Sequence, residues 1–141
     1  YRIRKHGYKI RYTPEILSYQ YIRPTLKKML RQKYSNGYWI GLTSHVERKC
    51  LSIFHFVPLV FVLAIIFSLL MIPVTKLFIL LLSSTYLLFT LIITLMTIIN
   101  NKFNITLLLM PILLFSIHIC YGMGTLVGLM KGFEWKKTYY K

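Results

Sequence analysis

Acid–base, metal and nucleophile chemistry start from a few residue types, and this chain of 141 residues holds few of them. Its three carboxylates, Glu15, Glu47 and Glu134, are scattered along the chain and none is paired with another acid. A general base must sit beside the proton it takes, and a hard divalent cation needs several converging oxygen ligands. No spacing here serves both roles, so no catalytic or metal-binding residue is assigned. Cys50 and Cys120 form no Cys-x-x-Cys or Cys/His ligand spacing. Both lie at or inside apolar segments, where membrane packing accounts for them. His55 and His118 are the imidazoles within apolar runs. An ionisable group inside a membrane is a functional candidate, yet each is placed near an interface or a helix neighbour where a neutral imidazole finds a hydrogen bond.

Two short motifs have simpler readings than their chemical ones. GMGTLVG gives G-x-G-x-x-x-G, but a dinucleotide loop needs a strand before it. Here the glycines follow LLLMPILLFSIHICY. Gly124 and Gly128 therefore read as a small-xxx-small pair that lets helices approach closely. Asn104-Ile105-Thr106 matches a glycosylation sequon, but it abuts an apolar run, where the membrane blocks modification.

The elements that must position any site are set by composition. Hydrophobic residues make up 56% of the chain, charged residues 15%, and the mean hydropathy is +0.58. The net charge is +15. This is a membrane protein's balance, with basic ends. Three runs, about 51–72, 77–99 and 105–130, are each long enough to cross about 30 Å of hydrocarbon and free of charge. Short connections make neighbouring helices antiparallel hairpins. Pro111 and the glycines Gly122, Gly124 and Gly128 mark the third run as the best candidate for irregularity.

Charge sets an orientation and raises a conflict. Arg2, Arg4, Lys5, Lys9, Arg11, Arg23, Lys27, Lys28, Arg31, Lys33, Arg48 and Lys49 precede the first run. Cationic flanks stay on the cytoplasmic side, so residues 1–49 are expected there. Three full crossings then put Lys131, Lys136, Lys137 and Lys141 outside. Either the N-terminal charge dominates, which is the favoured reading, or one segment lies in the interface or re-enters. The tail 131–141, KGFEWKKTYYK, mixes aromatic and basic residues as an interface belt does. No folded nucleic-acid module accompanies it.

The first 49 residues split in two. Tyr8, Ile10 and Tyr12 alternate with Lys9 and Arg11, as in a half-buried strand. Thr13-Pro14-Glu15 reads as a turn, and Ile16–Ile22 as a second extended segment. YRIRKH is either strand or the last turns of a helix capped by Gly7. Two short extended segments cannot bury a core alone, so 1–22 reads as the edge of a larger domain. Pro24 suits a helix start. Leu26, Met29, Leu30 and Tyr34 then share one face, with Lys27, Lys28 and Arg31 opposite and Lys33 snorkelling from the apolar arc. Residues 23–49 thus carry a basic amphipathic helix expected on an anionic membrane surface and ended by Asn36-Gly37.

Three stretches, YRIRKHGYKIRYTPEI, YIRPTLKKMLRQKYSNGYWIGLT and HFVPLVFVL with SIHICYGMGTLVGLMKG, resemble the C-terminal portion of a membrane-bound family 2 glycosyltransferase. The likeness is to the type similar to succinoglycan-biosynthesis glucosyltransferases. It implies a mainly α membrane fold: three hydrophobic helices after a short α/β remnant of a GT-A domain and a basic interface helix. Such enzymes transfer sugar from a nucleotide sugar, with inversion, to a lipid-linked or polysaccharide acceptor. The resemblance implies a divalent metal, Mg or Mn, in the complete enzyme. It also implies nucleotide-sugar, metal and catalytic-base motifs ahead of a helix like YRIRKHG. The expectation is therefore a C-terminal fragment, inactive alone, whose partners are the bilayer and a catalytic domain. Arg31, Gln32 and Trp39 fall in the stretch similar to the Q-x-x-R-W region, which implies substrate contacts, although KYSNGYW rather than x-x-R-W follows Gln32. The competing reading is a stand-alone small basic membrane protein that binds anionic lipid or a membrane partner. A transporter subunit would need an ionisable pathway, for which only His55 and His118 are available.

Overall fold

The computed structural model describes residues 2–101 and 104–139. Tyr1, Lys102 and Phe103, and Tyr140 and Lys141 of the basic tail, lie outside the described residues.

At the N-terminus the helical alternative prevails. Helix α1, Arg2–Lys5, is closed by Gly7 at φ 81°. Gly7 N–H donates to the Arg4 carbonyl at 3.1 Å and Tyr8 N–H to the Ile3 carbonyl at 3.3 Å. That pair of bonds is the Schellman closure, and it needs a left-handed residue, which glycine adopts without strain. The expected strands do not form. There is no strand among the described residues, and Tyr8–Tyr12 and Ile16–Ile22 are irregular chain. The α/β remnant is thus corrected to an irregular arm. The reason is physical: a strand needs a partner edge for its N–H and C=O groups, and the tyrosines of this arm face out, Tyr21 being 94% exposed. An exposed pair, Lys5 Nζ to Glu47 Oε2 at 3.5 Å, links the arm to the chain after the next helix.

Helix α2, Leu26–Ser44, follows Pro24, with the Thr25 hydroxyl accepting from Lys28 N–H at 3.3 Å as its N-cap. It runs straight through Asn36-Gly37, where the sequence placed its end. Glycine in a helix interior costs about 1 kcal/mol against alanine, and packing offsets that here. A Cβ on Gly37 would run into the Tyr121 carbonyl, and one on Gly41 into the backbone of Thr125–Leu129 on the last helix. That helix, α5, spans Met110–Tyr139. Its own Gly124 and Gly128 lie against the Tyr34 and Tyr38 carbonyls. Residues rise together along both helices, Tyr34 by Gly124, Tyr38 by Gly128 and His45 by Gly132, so the pair is parallel. Instead of lying alone on a surface, α2 has its small face locked to α5 and its Lys27, Lys28 and Arg31 exposed.

Three helical stretches among the described residues are long and apolar enough to cross a membrane: Ile53–Leu70, Leu77–Asn100 and Ile105–Thr138. Helix α3, Val57–Leu70, is entered through a 3-10 turn, Ile53–Phe56, and α4 covers Leu77–Asn100. Rings pair Phe67 with Phe78 at 5.4 Å and Phe61 with Tyr86 at 4.5 Å, so α3 and α4 form an antiparallel hairpin. Pro58 packs on Gly122 and Phe61 on Phe115, which makes α3 antiparallel to α5. Pro111 lies in the first turn of α5, behind a 3-10 turn at Ile105–Leu109, and does not kink it. The helix does not stop at Lys131 but continues to Tyr139. At 1.5 Å per residue it is about 45 Å long, more than the hydrocarbon layer, so one end stands beyond the apolar core. The cationic end, beside α2, is the one that suits water.

Candidate anion-binding groove

The best-built polar site follows from the register of α2. Lys28, Arg31, Gln32, Ser35, Asn36 and Trp39 recur at three- and four-residue intervals and so share one stripe of the helix. With Arg23, just ahead of Pro24, they line a groove of about 510 Å³. Arg23, Lys28 and Arg31 bring three cations, and no carboxylate lines the groove. Trp39 forms one end; its ring is half-exposed at 53% and stands edge-on to Trp135 of α5 at 6.1 Å and to Tyr38 at 6.3 Å. The tryptophan is therefore held by the α2–α5 contact while one face stays open. Gln32 and Asn36 also line an adjoining groove with Gln20, Tyr21 and Lys33.

Guanidinium and ammonium donors without a competing acid fit a multiply charged oxyanion, with arginine able to hold two oxygens at once. The amides of Gln32 and Asn36 add neutral donors. An aromatic face at the rim offers stacking to a ring. These groups bind and orient; among them is no carboxylate, imidazole or thiol to move a proton or attack.

The structure brings Arg31, Gln32 and Trp39 together in this groove and adds Arg23, Lys28, Ser35 and Asn36. Those four were not singled out because the substrate residues were taken from the resemblance rather than from the face that Arg31 and Gln32 share on α2. Extending the helical count to Trp39 reveals the stripe. The other sequence candidates lie elsewhere. Gly124 and Gly128 face the backbone of α2, and Gly122 that of Pro58. His55 is used locally, its Nδ1 accepting from the Ser52 N–H at 3.0 Å to cap the turn into α3. His118 Nδ1 lies 3.1 Å from the Tyr86 hydroxyl and 2.8 Å from the Leu114 carbonyl, among the rings of Phe61, Tyr86 and Phe115. Asn104 Oδ1 accepts from both the N–H and the hydroxyl of Thr106, so the sequon asparagine caps the turn before α5. Cys50 and Cys120 are free thiols. Among the described residues, no group of three or more His, Cys, Asp or Glu residues could hold a metal ion.

No family model matches this chain, and neither a curated protein nor a solved structure matches it.

Proposed function

We propose that this chain is the membrane-anchoring C-terminal part of an inverting family 2 glycosyltransferase, and that the groove on α2 receives the diphosphate of the nucleotide-sugar donor. One observation carries the reading: Arg31, Gln32 and Trp39, the residues to which the sequence resemblance gives substrate contacts, line a single groove with two further cations, Arg23 and Lys28. The three candidate spans fit a multi-pass membrane protein. In this reading the membrane is the cell membrane, with the N-terminal part and the groove in the cytoplasm, where nucleotide sugars are. The acceptor is lipid-linked or a polysaccharide.

The division of labour follows from the side chains. Arg23, Lys28 and Arg31 hold negative charge as it gathers on the diphosphate. Trp39 lies against the sugar or the acceptor ring. Deprotonating the acceptor hydroxyl requires a carboxylate base, and this chain's three scattered acids supply no such arrangement. The described residues likewise do not fit the divalent Mg or Mn that the resemblance implies. Base and metal ligands therefore belong to the catalytic domain that this reading requires as a partner.

The test uses the chain in lipid nanodiscs. Labelled uridine diphosphate should bind, and Arg31→Ala should weaken binding about 10- to 100-fold, the range for losing a hydrogen bond to a charged group. No sugar transfer is expected from the chain alone. Transfer should appear on co-expression with a family 2 catalytic domain and fall with Arg31→Ala. Absence of diphosphate binding, or binding indifferent to Arg31, overturns the reading and leaves the stand-alone basic membrane protein in its place.

A further inference from the structure

A second basic groove, of about 620 Å³, lies at the other end of the α2–α5 pair. Ser44, His45 and Arg48 from the end of α2 face Phe133, Lys136 and Lys137 from the end of α5. We infer that this groove seats the phosphate headgroup of an anionic lipid.

The groove is a built one. His45 Nε2 lies 2.9 Å from the Leu129 carbonyl. A carbonyl only accepts, so Nε2 carries the proton and donates. The imidazole is thereby fixed to α5, edge-on to the Phe133 ring at 6.2 Å. Arg48 Nε donates to the Ser44 carbonyl at 3.2 Å, which sets the guanidinium over the end of α2. Lys136 and Lys137 complete a set of three permanent cations drawn from opposite ends of the sequence. Neither neighbouring acid lines the groove; Glu47 is held by Lys5 at 3.5 Å, and Glu134 is not in the lining. Three like charges around one groove repel one another unless an anion lies between them.

Position selects a lipid over a soluble anion. Arg48 and Lys49 come just before Ile53, where the first apolar span begins, and Lys136 and Lys137 stand in the last turns of α5, past the charge-free run that ends at Met130. Phe133, inside the groove, is 78% exposed, and Ile53 and Phe54, at the start of the span, are 79% and 78% exposed. Such apolar surface beside cations suits the boundary where phosphates meet glycerol and acyl chains. A free phosphate would cover the charges and leave these side chains bare.

The experiment reconstitutes the full chain with phosphatidylglycerol and phosphatidylcholine in equal amounts and counts retained lipids by native mass spectrometry. One phosphatidylglycerol should be kept per chain in preference to phosphatidylcholine. The exposed pair Lys136→Gln with Lys137→Gln should lower that preference on the order of 30-fold, at about 5-fold per juxtamembrane cation. A control, Lys27→Gln with Lys76→Gln, removes equal charge outside the groove and should keep the bound lipid; circular dichroism confirms that both variants remain helical. Equal loss in the two variants reduces the effect to net charge and overturns the site. So does retention unchanged by Lys136→Gln with Lys137→Gln. Displacement of the lipid by millimolar inorganic phosphate would also overturn it, by showing that the groove prefers a soluble anion.

Discussion

Two of the helix pairs of this molecule, α2–α5 and α3–α4, are held together in different ways. In the α2–α5 pair, glycines stand on both sides, and each leaves room for backbone where any Cβ would collide: Gly37 and Gly41 against α5, Gly124 and Gly128 against α2. Leu42 and Thr125 are fully buried between them, at 1% and 0% exposure. In the α3–α4 hairpin the contact is made by spaced rings, Phe61 on Tyr86 and Phe67 on Phe78, and on α4 only Thr90 and Thr94 are buried. Their hydroxyls bond back to the Leu87 and Thr90 carbonyls of their own helix. The contrast follows from what stands at each seam: glycines let the α2 and α5 backbones touch, whereas rings hold α3 and α4 apart. Lipid tails are as apolar as leucine, so burying leucine between spans brings little, whereas small residues let backbones meet. The hairpin can leave its leucines facing lipid; the α2–α5 pair must fit.

Substitutions should separate the two kinds of contact. The largest effect is expected from Gly128→Leu, whose side chain meets the Tyr38 carbonyl and the Gly41 Cα. It should destabilise α2–α5 packing by about 3 kcal/mol or more, seen as a lower melting temperature in detergent and as red-shifted tryptophan emission when Trp39 and Trp135 part. A Gly128→Leu chain that melts like the wild type would remove the distinction between the pairs. Next comes Leu42→Ala, which opens a cavity at the most buried aliphatic side chain; a loss of about 2–5 kcal/mol is expected in the same melt. The smallest effect belongs to α4. Leu88 is 61% exposed, and Leu88→Ala should change stability by about 0.5 kcal/mol or less. A large loss there would reveal a partner surface on α4 and sharpen the comparison in the other direction.

Legibility followed the same line. The charge-free runs were readable because spanning depends on length and summed hydropathy, and the described spans begin and end close to them except at the last. There, the charge-free run ends at Met130, but the helix, already paired with α2, carries Lys131 on its outer face without breaking. Asn36-Gly37 was misread for a related reason: as a local signal it ends a helix, yet Gly37 is where α5 comes closest. The alternation of Tyr8, Ile10 and Tyr12 was real but had no neighbouring edge to pair with. Gly7 was the local signal that needed no partner, and its closure of α1 was among the open readings. In the groove, Arg31, Gln32 and Trp39 were named from a resemblance; Lys28, Ser35 and Asn36 follow from the helical face they share with Arg31, and Arg23 joins them from the chain ahead of α2.

By itself the sequence determined three apolar stretches, cationic ends on both sides of them, and glycines at the four-residue spacing that close helix contact requires. These are sums and spacings over neighbouring residues, and no partner is needed to state them. Only the tertiary structure decided that α2 runs on beyond Asn36-Gly37, that it lies parallel to α5, and that Arg48 shares a groove with Lys136 and Lys137. The reason is that close packing is a property of two surfaces at once, and residues about ninety apart in the chain become neighbours only when both backbones find room to touch.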